Sequence, residues 1–112
     1  MNSQDLGTTS TGIKPNVAAL IVYVLGWITG LIFFLIEKEN KFVRFHALQS
    51  ILVFGGLTAL LFILAFLPVI GWVMIPVIYI AELVLWIVLM IKAYQGVKFK
   101  LPIAGDFAEK NT

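Results

Sequence analysis

The sequence predicts an all-α, polytopic membrane protein with three transmembrane helices and an interfacial C-terminal segment, on three observations. Apolar residues make up 61% of the 112 and Asp, Glu, Lys and Arg only 12%, against roughly 45–50% and 25% in ordinary globular chains. Three runs carry at most one charge each and are long enough to cross a bilayer. The basic residues are grouped beside those runs. So small a body has too few polar residues to cover its outside in water. Hydrocarbon is therefore the expected solvent, and the lipid bilayer the first expected partner.

Residues 1–16, MNSQDLGTTSTGIKPN, are polar and carry no hydrophobic period, which suits a flexible tail. A secretory signal would have a basic start, a shorter apolar core and a small-residue cleavage site, whereas this run begins late and ends at Glu37, so it reads as a retained membrane segment. Residues 17–112 form one membrane domain. Val17 to Ile36 is twenty uncharged residues, which as a helix rises about 30 Å, the thickness of the hydrocarbon core. Ala47 to Leu67 is a second uncharged run. Its helix is expected to begin earlier, near Asn40, whose side chain can cap the first turn. Lys41 and Arg44 would reach toward headgroups from that early part while Phe42 and Phe45 bury their rings.

Pro68 ends the second helix and Gly71 tolerates a tight return. Val69 to Ile91 is the third run, with Glu82 its one charge and Pro76 a kink or start point. The tail, 92–112, is broken at LPIAG. Phe99, Leu101, Ile103 and Phe107 are expected to rest on the interface beside Lys98, Lys100 and Lys110, near acidic headgroups. With three spans, the N-terminus and the 68–71 turn share a side holding Lys14. The 37–46 loop and tail hold Lys38, Lys41, Arg44, Lys92, Lys98, Lys100 and Lys110. The excess of basic residues places the loop and C-terminus in the cytoplasm and the N-terminus outside.

Function classes fall away by inventory. There is no Cys, and His46 is the one histidine, so no thiolate or multi-His metal site is expected. No catalytic constellation assembles, no phosphate loop is present, and a net charge of +2 does not suit nucleic-acid binding. The chain is not expected to be an enzyme, no cofactor is expected, and no small-molecule substrate is identifiable.

Three groups of residues remain. Gly26 with Gly30, and Gly55 with Ala59, give two small-residue strips for close helix approach, within the chain or between copies. His46, Gln49 and Ser50 share one stripe of the second helix. They read as interfacial hydrogen bonds that set helix tilt or as a docking or conducting surface in which His46 titrates. Glu82 lies near mid-span, where a carboxylate needs a partner or a proton. Thr29, Ser50, Thr58 and Tyr79 are the candidate partners, and the role is either a polar clamp or a proton relay.

VAALIVYVLGWITGLIFFLIEKENKFVRFHALQSI, followed after the third run by AYQGVKFKLPIAGDFAEK, resembles the Tic-twenty-like family of small prokaryotic membrane proteins. The resemblance runs from Val17 to Lys110. Its most specific pieces are FVRFHALQS (42–50) and the pattern of Ala93, Gly96, Leu101, Pro102 and Gly105. The family is named for a component of the chloroplast import translocon, and some magnetosome membrane proteins are similar to it. The resemblance implies an integral helical membrane protein in a larger assembly. It transfers neither protein import nor a catalytic residue. The expected function is an accessory or scaffold subunit of a membrane complex, working through other membrane proteins or self-association. The alternative is a small oligomeric pore or proton-coupled transporter using Glu82, with His46, Gln49 and Ser50 at its inner mouth.

Overall fold

A computed structural model describes residues 6–112. It contains α1 (Pro15–Val24), α2 (Trp27–Ile36), α3 (Lys41–Leu64), α4 (Ile70–Tyr94) and α5 (Ala104–Lys110), with no strand among the described residues. Two helices, α3 and α4, are long and apolar enough to cross a membrane.

The expected first span, 17–36, is corrected: it is two ten-residue helices, neither long enough to be a span by itself. Gly26 adopts φ 63°, a left-handed angle that side chains other than glycine's strain to reach, and the helix ends there. Each half is only about 15 Å long. The chain then folds back: the Ser10 amide donates to Glu37 Oε2 at 2.8 Å, and the Asn40 side chain donates to the carbonyls of Leu6 and Thr8 at 2.8 and 3.0 Å. α1 and α2 thus form a helical hairpin whose two ends lie together.

Residues 6–14 therefore lie beside the 37–40 loop. α4 ends at the same place, where the Asn16 amide donates to the Tyr94 carbonyl at 3.1 Å.

The hairpin tip reaches only the middle of α3. A Cβ on Gly26 would stand 3.6 Å from Phe54 Cβ, and one on Gly55 3.7 Å from Trp27 Cβ. Beyond that level α3 and α4 continue as a bare pair, giving a body of 49 × 22 × 22 Å. The core (Ala18, Ala19, Val22, Tyr23, Phe42, Val43, Ala47, Leu89, Ala93) therefore sits in the four-helix half. The other half exposes Phe62, Phe66, Trp72 and Ile80.

Local chemistry explains the remaining boundaries. α3 starts as expected, with Asn40 Oδ1 accepting from the Val43 amide at 3.0 Å. α3 and α4 are joined by a tight turn in which the Ile70 amide bonds the Pro68 carbonyl across Val69. α4 runs through Pro76 as one helix. After it, Phe99 and Leu101 pack on the core, leaving Ile103 and Phe107 exposed.

Candidate functional site

An aqueous loop needs no partners for its backbone, but a helix end inside hydrocarbon does. The tip of the hairpin meets that need with side chains. The Thr29 hydroxyl donates to the Val22 carbonyl at 2.6 Å, the Ser50 hydroxyl to the Gly26 carbonyl at 2.7 Å, and Trp86 Nε1 to the Tyr23 carbonyl at 2.6 Å. Thr29 also accepts from the Leu25 amide at 3.1 Å. Two of the residues expected to partner Glu82, Thr29 and Ser50, are thus committed to the broken backbone, and Thr58 donates to the Phe54 carbonyl.

Below the tip, His46 and Gln49 are fully buried and tie three segments together. The Val97 carbonyl can only accept, so His46 carries its proton on Nε2, 3.2 Å away, and Nδ1 accepts from the Tyr23 hydroxyl at 2.6 Å. Gln49 Nε2 donates to the Tyr23 oxygen (3.2 Å) and the Phe99 carbonyl (2.9 Å), while its Oε1 accepts from the Leu101 amide (2.9 Å). The rings of Tyr23, Phe42 and Phe45 stand edge-on to the imidazole. The geometry holds α1, α3 and the 97–101 segment in one place, with every polar atom of the imidazole used. Tyr23, the hub, carried no sequence signal beyond its place in an apolar run.

At the charged end, Glu37 is buried and its Oε2 accepts from the amides of Ser10, Glu39 and Asn40 at 2.8, 3.1 and 3.1 Å. Burial pushes this carboxyl up, but the donors, with the Ser10 hydroxyl, outweigh it and hold the group below the usual carboxylate range. A folded value below the unfolded one adds stability that is full at neutral pH and lost as the pH falls through the folded value. Residues 6–14 should therefore stay protected from amide exchange at pH 7 and open below about pH 4.3, the unperturbed glutamate value. Hydrogen exchange in detergent micelles reads this, and protection unchanged down to pH 2 would contradict it.

Arg44, expected at the headgroups, instead covers the C-terminal end of α2. Its Nη1 donates to the carbonyls of Phe34 (3.0 Å) and Glu37 (2.6 Å), with the guanidinium 4.3 Å over the Phe34 ring, which suits the negative end of a helix.

The two small-residue strips part company. A Cβ on Gly30 would stand 2.8 Å from Ser50 Oγ and 3.0 Å from the Ala47 carbonyl oxygen, so Gly30 is a contact between α2 and α3, while Gly26 is the hairpin turn itself. On α3, Gly55 faces Trp27, but Ala59 is exposed and Gly56 has nothing within 4 Å.

Glu82 stands at the centre of the 25-residue α4. It is half-buried at the edge of a cavity of about 310 Å³ lined by Gly26 and Trp27 of the hairpin, Thr58 of α3, and Tyr79 and Trp86 of α4. No described residue donates a hydrogen bond to its carboxyl or pairs with its charge.

Compared with known proteins, residues 9–108 match the family described as the magnetosome magnetite crystal formation protein family. A UPF0132 membrane protein of Methanocaldococcus jannaschii is 51% identical over 94% of this chain and 94% of its own length. A second from that organism is 48% identical, over 88% of this chain and 71% of its own length. One from Archaeoglobus fulgidus is 46% identical, over 88% of this chain and 95% of its own. No solved structure matches. The family match extends from the N-terminal segment into α5, and these relatives, all named membrane proteins, align over most of the chain; the protein belongs to the magnetosome magnetite crystal formation family, as a small helical membrane protein.

Proposed function

We propose that the protein acts by association within the membrane, as an accessory or scaffold subunit of a membrane complex, with its charged end in the cytoplasm. The observation that carries this reading is the small-residue pair Gly55 and Ala59 on α3. It floors an apolar groove walled by Trp27, Phe62 and Ile63. Small residues on a lipid-facing surface let another helix approach closely, and close packing is what drives helix association in lipid. The orientation rests on charge: all eight Lys and Arg lie at one end of the molecule, and the turn from 65 to 69 has none.

Ala59→Leu, at an exposed position on the groove floor, should abolish crosslinked species in native membranes while leaving the chain folded. Unchanged crosslinking would count against the proposal. The kinship with the Tic-twenty-like proteins belongs to the same proposal, on FVRFHALQS and the LPIAG tail alone. Protein import does not. Nor does magnetite formation, which is named by the family's description alone.

The second reading, a small oligomeric pore or proton-coupled transporter acting through Glu82, draws on the mid-membrane cavity. Glu82→Gln separates the two. A scaffold keeps its crosslinks, because Gln preserves the hydrogen-bonding capacity. A proton relay loses flux into vesicles.

A further inference from the structure

We propose that the Glu82 cavity is a binding site for a small organic monocation, an amine or quaternary ammonium with short alkyl groups, entering from the lipid. The proposal is independent of the association reading, since the site lies within one chain.

The cavity joins three features. Its one formal charge is the Glu82 carboxylate, which has no counter-charge among the described residues. Isolated charge in hydrocarbon is costly, so the site favours whatever brings a positive charge to it. Its walls include the rings of Trp27, Tyr79 and Trp86, and aromatic faces attract cations, most strongly when water is excluded. Its volume, about 310 Å³, falls at the lower end of the roughly 300–1,000 Å³ of small-molecule sites.

One of the rings is held in place before any ligand arrives: Trp86 is fixed through Nε1 to the Tyr23 carbonyl at 2.6 Å. Such pre-organisation lowers the ordering cost of binding.

The oxygen inventory selects against a metal ion. Hard divalent cations such as calcium want six to eight oxygen ligands. Here there is one carboxylate and one Tyr hydroxyl, because the Thr58 hydroxyl is turned to the Phe54 carbonyl at 2.7 Å. An alkylammonium needs one counter-charge and π faces, which is what the walls supply. An anion would meet the carboxylate. Entry is lateral, since Leu25 and Leu83 at the rim are 61% and 53% exposed.

The test uses the full chain in nanodiscs carrying Trp72→Phe, so that Trp27 and Trp86 are the remaining indoles. The probe is tetrapropylammonium, titrated against tryptophan fluorescence, with tripropylcarbinol as a neutral control that carries three of the same propyl groups. The proposal expects a saturable signal with the cation alone. It expects affinity at least about tenfold weaker in Glu82→Gln, equivalent to about 1.4 kcal/mol, and affinity retained within about threefold in Glu82→Asp. Where Glu82→Gln fails to give folded protein, Tyr79→Leu serves, with an expected loss of about threefold or more. Equal saturation by cation and carbinol, identical affinity in Glu82→Gln, or no saturation at all would each overturn it. Loss of crosslinking in the α3 strip variant with cation binding intact would separate this site from the association surface.

Discussion

His46→Ala is expected to unfold the charged half of the molecule more readily than any other single change at that end, costing about 3–5 kcal/mol as truncation of a large buried side chain does. The deletion leaves a hole among the rings of Tyr23, Phe42 and Phe45. It also leaves the Tyr23 hydroxyl proton without its acceptor and the Val97 carbonyl without its donor, and stranded polar groups add about 1–3 kcal/mol of their own. Tyr23→Phe, which removes one hydroxyl and no volume, should cost about 1–3 kcal/mol and so rank below it. Thermal unfolding in detergent, with proteolysis at residues 97–101 as a local readout, tests the order. Equal melting temperatures for His46→Ala and the unsubstituted chain would contradict the account of the buried network.

Gly30→Leu is the second large effect. The new Cβ would fall 2.8 Å from Ser50 Oγ and 3.0 Å from the Ala47 carbonyl oxygen, and backbone cannot give way as a side-chain end can. Overpacking of this kind costs about 1–3 kcal/mol and occasionally more. It also displaces Ser50 from the Gly26 carbonyl that it holds at 2.7 Å, so the hairpin tip loses a partner in hydrocarbon. Gly30→Ala should be milder and Gly30→Leu worse. Gly26→Leu should fail for a different reason, the backbone angle of 63°. Melting in detergent at wild-type temperature for Gly30→Leu would show that α2 does not lie against α3 as described.

The sequence made some of this legible and hid the rest for physical reasons. Asn40 as the cap of α3 and the return after Pro68 follow from local rules, and the structure has both. The run 17–36 read as a span because hydropathy counts apolar residues and is blind to a turn that needs no polar ones. Within lipid a turn is possible wherever other side chains satisfy its backbone, and Thr29, Ser50 and Trp86 do so from positions 3, 24 and 60 residues beyond Gly26. That solution is non-local, so no window on the sequence shows it. The expected placement of the N-terminus outside rested on counting that run as a span.

Among the candidate residues, His46, Gln49 and Ser50 were visible as a polar stripe, but their partners were not: Tyr23 and the backbone of 97–101 lie 23 and about 50 residues away. Glu82 was visible as the one charge in its run. The surrounding rings of Trp27, Tyr79 and Trp86 became a site only once the hairpin brought Trp27 to α4.

Because the chain has no Cys, single cysteines at Thr8, Lys38, Phe66 and Thr112 can be labelled with a membrane-impermeant maleimide in sealed vesicles of known orientation. A hairpin whose two ends lie together predicts that Thr8→Cys, Lys38→Cys and Thr112→Cys react from one face and Phe66→Cys from the other. Labelling of Thr8→Cys from the face opposite Lys38→Cys would contradict it.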